Sequence, residues 1–537
     1  MIQIRSLVAI AVSAACAIGY GQQTSTAVLT YHNNALRTGL TAAETKLTWT
    51  NVSPSTFAKL FSYPVDGSVY AQPLYVPAVN IGGQKRNVLY VVTENNSVYA
   101  FDADRPALGM LWQTNFNNGP SGTVVTPVPA DDVSCDDISP QIGITSTPVI
   151  DPATATLYAV AKTKEVSTSG TSYFYRLHAI NLSTGQERLG SPVDVEGTVP
   201  GTCGKTDGQG NVVFQAKIHL QRAALLLANG VVYVTFASHC DLDYYNGWMM
   251  GYDTQTLQQV SVFNTTPDAS DGYCRGGIWQ SGGGPAWDGA NIYMITGNGD
   301  PVAKTPGTRG YGSSFLKLTP DPVTKALTVT DFFTPYYYQT LNSYDYDIGS
   351  SGPLVVPSPN GTGPNIVIGA GKNTTVYVLD RDNLGGLGTS SDNVVQELHN
   401  AVGYYGRATT SPVIFRNNVY FAGWSDRVKM FYVSNGRLSQ QPIAKGGKGF
   451  LGLTAGLSLS ADPLGNNPIL WAISSGANGI LHAFQGQTLA EIYNSDMAGT
   501  RDTLGEGVKF TPPTIANGKV YVPTSSSIVV YGLPPAN

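Results

Sequence analysis

AQPLYV (71–76), NVLYVVT (87–93), SVYAFD (97–102) and MLWQTNF (110–116) are four short apolar segments in a row, each bounded by turn residues. Alternation of period two, rich in β-branched and aromatic residues, marks strands rather than helices. The run repeats. Its second member returns as LYAVA near 158, VYVTF near 233, IYMIT near 293, NIVIG near 366, VYFAG near 420, LWAIS near 471 and VYVPT near 521. Its third member returns as YRLHAIN, WMMGYD, SFLKL, TVYVLD, VKMFYV, ILHAF and SIVVYG. Eight copies of a four-strand unit predict an all-β fold, an eight-bladed β-propeller of four-stranded blades. The last copy has only three strands, and FAKLFSYPV (57–65) precedes the first. That segment is expected to supply the missing outer strand of the last blade, closing the ring and removing an exposed edge. The plan is therefore a signal peptide over 1–21, an arm and closing strand over 22–66, a propeller over 67–533 and a tail over 534–537.

Composition supports an exported β protein. Of 537 residues, 42% are apolar, enough for a core, and 12% are charged, about half the usual ~25%. The net charge is −5 without any basic run, which excludes a nucleic-acid binder. Arg5, the apolar stretch Leu7–Gly19 and small residues before Gln22 have the pattern of a signal peptide cleaved near Gly21, too short for a membrane span. Lipidation at Cys16 is the alternative. Cys135, Cys203, Cys240 and Cys274 remain. An even number in a secreted or periplasmic bacterial chain permits two disulfides. Each of the pairs Cys135–Cys203 and Cys240–Cys274 lies on one face in neighbouring blades, so these pairings are expected. The sequence has no C-x-x-C, which argues against zinc, and no C-x-x-C-H, so no attached haem is expected. A monomer without a membrane span is expected.

Strand direction places the long insertions on one face, where function usually sits. Four segments there carry chemistry: GGIWQSGGGPAWDG (276–289), TGNGD (296–300), NSYDYDIGSSGPL (342–354) and GKNTTVYVLDR (371–381). They bring an aromatic plane (Trp279), an amide oxygen (Asn298), carboxylates (Asp345, Asp347) and an ammonium (Lys372) to the fourth and fifth blades. That set suits a planar anionic cofactor with a hard, oxygen-liganded cation. His32 and Arg37, in YHNNALRTG, are read as pins for the N-terminal arm, and His239 as structural.

With these repeats and GKNTTVYVLDR, the chain resembles the eight-bladed pyrroloquinoline quinone (PQQ) dehydrogenases. The resemblance implies that Trp279 stacks on the quinone, Asn298 and Asp345 bind calcium, Asp345 is the base, with Tyr344 standing where the family has Trp, and Lys372 contacts the quinone, with Thr374 replacing a Gly. The family's calcium-binding Glu has Asp241 or Asp243 as its candidate counterpart. Its adjacent cysteine pair is absent, and its blade-docking motif is eroded at Leu189 and Ser261. The implied function is oxidation of an alcohol or sugar with PQQ and calcium, electrons leaving to a separate carrier. The alternative is a non-catalytic propeller that binds an envelope protein or glycan.

Overall fold

The computed structural model describes residues 26–269, 273–301, 309–357, 363–450 and 454–535. The expected signal peptide and Cys16 lie outside the described residues. The structure is nearly all β. One short α-helix, Tyr338–Ser343, is assigned among the described residues, where no helical periodicity signals it.

Eight sheets of four to six strands follow one another along the chain, and three two-stranded ribbons decorate them. The first sheet is Leu74–Ile81, Gln84–Val92, Ser97–Asp102 and Met110–Asn115, paired in that order. The central position of every repeat of the second member falls within the second main strand of its sheet, from Thr156–Ser167 to Lys519–Pro523. Tight turns set the registers. Asn517 and Gly518 have φ of 53° and 81°, the two positive values that a two-residue hairpin needs. In the eighth sheet Ala58–Pro64 runs antiparallel to Ser527–Gly532, so the two ends of the chain build one sheet.

Burial follows position. Every residue of Val231–Ser238 is buried, while Met110–Asn115, the outer strand of the first sheet, has none buried. Strands covered on both faces are continuously apolar for this reason. The cores lie between sheets. Tyr158 and Val160 of the second pack with Val232 and Trp248 of the third. Ile295 of the fourth packs with Val367 of the fifth, and Trp471 of the seventh with Val520 of the eighth. Tyr521 and Val530 of the eighth pack with Leu89 of the first.

The N-terminal arm runs along the innermost strands. Its backbone bonds to Tyr75, Ile150, Trp287, Val355, Ile414 and Leu459, in sheets one, two, four, five, six and seven. The remaining two are reached by side chains: Arg37 Nη2 donates to Leu225 O beside the third sheet, and Thr41 Oγ1 to Ile515 O in the eighth. Arg37 is 1% exposed and also donates to Pro285 O, Tyr31 O and Thr30 Oγ1. Oxygen dipoles replace a counter-ion around this guanidinium. Burial lowers its pKa to about 10, against the opposing influence of Tyr31.

The disulfides correct the expectation. Cys135 pairs with Cys240 and Cys203 with Cys274, at Cα separations of 5.7 and 5.4 Å. The reason is depth within the face. The insertion carrying Cys135 folds onto Leu220 through Val128, Val133 and Ile142, and Cys240 lines the cavity there. Cys203 sits beside the ribbon Thr198–Pro200/Asn211–Val213 and packs with Ala269 and Cys274.

Candidate functional site

Residues just before the innermost strands of the third, fourth, fifth, sixth and eighth sheets, and just after the second strands of the third to sixth, face one cavity of about 370 Å³. Leu220 and Arg222 precede the third sheet, Trp279 the fourth, Asp347 the fifth, Arg407 the sixth and Phe510 the eighth, and Lys372 follows the second strand of the fifth. A volume of this size holds a drug-sized ligand.

The four residues singled out from sequence come together, in two tiers. Trp279 and Lys372 line the cavity, with Lys372 Nζ 5.3 Å from the Trp279 ring centre. Asn298 and Asp345 stand behind Lys372. Asn298 Nδ2 donates to Asp345 Oδ1 at 2.7 Å, and Lys372 Nζ donates to Asp345 Oδ2 at 2.9 Å. Asp347 is the carboxylate on the cavity wall. It accepts the Asn298 N–H at 2.7 Å and lies 2.6 Å from Lys372 Nζ. Its side chain is 10% exposed, against 59% for Asp345. Gly297 fits this corner because a Cβ there would stand 2.7 Å from Asp347 Oδ1. Asp241, one of the two candidates for the missing Glu, lines the cavity. Asp243 does not.

Charge is unevenly shared. Burial first, and then the charge of Asp347, raise the pKa of both Asp345 and Asp241. Burial works against the Lys372 ammonium, but Asp347 and Asp345 outweigh it and hold Lys372 charged above its ordinary range. Asn298 Oδ1 is buried and meets no donor. This orphaned oxygen is a hard donor of the kind a calcium-like cation takes, while the two carboxylates beside Asn298 are held by the Lys372 ammonium.

Sequence reasoning missed much of the wall. Four basic side chains (Arg222, Lys372, Arg407, Lys509) stand against three acidic ones (Asp137, Asp241, Asp347), an excess that suits an anion. Arg222 is 5% exposed, lies over the Phe510 ring at 4.8 Å, and leaves Nη2 without a partner. Arg407 covers Trp424 at 4.7 Å, and Lys509 pairs with Asp137 at 3.0 Å. The available signal was positional: Arg222, Arg407 and Lys509 precede innermost strands just as Trp279 and Asp347 do. His239 meets Lys162 Nζ at 2.7 Å through Nε2, behind the wall.

No family model matches the chain, and no curated protein matches it. Solved structures do. The quinohemoprotein alcohol dehydrogenase ADHIIG of Pseudomonas putida HK5 is similar over 95% of this chain and 81% of its own, at 13% identity and a TM-score of 0.63. The quinohemoprotein alcohol dehydrogenase of Comamonas testosteroni is similar over 95% and 82%, at 13% identity and 0.59. A europium-containing methanol dehydrogenase is similar over 94% and 98%, at 12% identity and 0.60. The likeness is one of fold: the chain shares the β-propeller fold of these dehydrogenases.

Proposed function

We propose that the chain is an exported oxidoreductase whose eight sheets form one closed ring and whose cavity holds PQQ and calcium for the oxidation of an alcohol or sugar. The observation that carries this reading is the meeting of Trp279 and Lys372 on the cavity wall with Asn298 and Asp345 directly behind Lys372. Residues that only pack need not converge. Trp279 offers the stacking plane, and Lys372, Arg222 and Arg407 offer charge to an anionic quinone. Asn298 Oδ1, Asp345 and Asp241 would hold the cation. When bound, the quinone supplies acceptance of a hydride equivalent from the alcohol carbon. Asp345, the more exposed of the two carboxylates on Lys372, is assigned as the base that would take the substrate's hydroxyl proton, with Asp347 the carboxylate on the cavity wall. Two disulfides suit an oxidising compartment.

A second reading, a non-catalytic propeller that binds a protein or glycan, draws on one observation. Lys372 pairs with both Asp345 and Asp347, and the Asn298 N–H groups donate to the same two carboxylates, so these charges balance without a ligand. The test is to add PQQ and Ca²⁺ to purified protein, following quinone absorbance and dye reduction with a panel of alcohols and sugars. Stoichiometric absorbance is expected. Asp345→Asn should keep it and lose dye reduction by about 100-fold or more, the scale of a general base. Absence of quinone binding hands the site to the second reading, and full activity in Asp345→Asn removes the assigned base.

A further inference from the structure

A second cavity, of about 490 Å³, lies beside the first. Three pairs of consecutive residues straddle the two: Asp347, Lys372 and Gly406 line the first, and Tyr346, Asn373 and Tyr405 line the second. The wall between them is one residue thick. The second cavity is walled by tyrosines and by a carboxyl pair, and no lysine or arginine lines it.

Two of its tyrosines, Tyr336 and Tyr405, are 43% and 54% exposed, and Tyr344 and Tyr404, outside the lining, are 64% and 59% exposed. Tyr344 stacks on Tyr346 at 5.5 Å, and Tyr346 meets Tyr405 at 5.6 Å, making a continuous aromatic surface from Asp345 towards the second cavity. Large exposed aromatic surface is costly in water and marks contact sites. The polar groups facing it sort the ligands. Asp392 Oδ2 and Glu397 Oε1 are both buried and meet no donor. Burial first, and then the charge of Asp392, push Glu397 up to about 8, so at neutral pH the two carboxyls share one proton. His399 Nε2 stands 3.5 Å from Glu397, with Tyr337 and Tyr377 behind. Without a cation on the walls, an anionic ligand has no counter-charge. With one proton held in the pair, a single negative charge remains on this wall.

We infer that this tyrosine-lined cleft binds a neutral saccharide chain, whose C–H faces stack on Tyr346 and Tyr405 while its hydroxyls bond to Asp392, Glu397, His399 and Asn373. That this chain belongs to the substrate rests on the reaction site being the Lys372 cavity. The binding itself does not. The test is calorimetric titration of the full chain, without added quinone, with chitohexaose, cellohexaose, maltohexaose and glucose. At least one hexaose is expected to bind at least tenfold more tightly than glucose. Tyr405→Ala and Tyr346→Ala should each weaken it tenfold or more, while the distant, exposed Tyr432→Ala leaves it unchanged. The exposure of Tyr405 lets its variant fold, which a melting curve checks. Three results would overturn the inference: no hexaose binding more tightly than glucose, binding indifferent to Tyr405→Ala, or displacement of the hexaose by spermidine at equal concentration. Hexaose binding without quinone binding would sink the oxidoreductase reading and leave the cleft. Quinone binding without hexaose binding would sink the cleft alone.

Discussion

Glu94 illustrates how burial sets behaviour at the scale of one residue. It follows the second strand of the first sheet, the place that Lys372 occupies in the fifth. Oε2 accepts from Gly143 N and Thr145 Oγ1, while Oε1 meets no donor. Burial raises its pKa to about 7, against the opposing bonds from Gly143 and Thr145 and the charges of Arg222 and Lys162. The folded state therefore prefers the neutral acid. That preference stabilises fully below the ordinary glutamate range and is lost as pH rises from about 4.5 to 7. Glu94→Gln cannot ionise. Relative to the parent, it should gain stability between pH 5 and pH 8, by at most about 3 kcal/mol. Paired melting curves across that range check this, and a flat difference would mean that Glu94 is ionised throughout.

At the scale of elements, most strands were readable and the cross-links were not. Strand positions follow from side-chain alternation and turn residues, which are local signals, so every second strand fell where its motif stood. The arm carries no such signal: residues around YHNNALRTG bond mainly through the backbone, which side-chain pattern does not reveal. The cysteines could be placed on one face, but distance from the molecular centre is set by how each insertion folds back, and spacing is blind to that. Trp279 and Lys372 were recoverable because their motifs are specific, whereas Arg222 sits in an ordinary apolar run. The observed pairing makes its own prediction. Cys203–Cys274 encloses 71 residues of sequence separation, and neither cysteine lines the cavity. Replacing both by Ser should cost about 2–4 kcal/mol and leave quinone absorbance intact, whereas Cys135→Ser with Cys240→Ser should lower quinone affinity by loosening the wall at Cys240. Urea midpoints and quinone titrations separate the two. Non-reduced peptide mapping that joined Cys135 to Cys203 would overturn the pairing.

For the whole molecule, the arm and the closing strand tie together sheets far apart in sequence. A chain lacking residues 26–43 loses the backbone bonds to six sheets and the Arg37 and Thr41 contacts with the other two. At ~0.5–1.5 kcal/mol per bond, the expected loss is on the order of 5 kcal/mol. A synthetic 26–43 peptide added in excess should recover part of the melting temperature. An unchanged melting temperature on deletion would show that the arm rests on the molecule without holding it.

The bond from Thr41 to Ile515 spans 474 positions of sequence, and this separation imposes an order in time. The arm is synthesised before any of the sheets it touches, yet its docking strip is complete only when the eighth sheet exists. A ribosome-bound chain can fold sheet by sheet, but it cannot seat the arm fully until the eighth sheet has emerged. Such non-local closure is slow compared with local strand pairing, so an intermediate with all eight sheets formed and the arm unseated should persist.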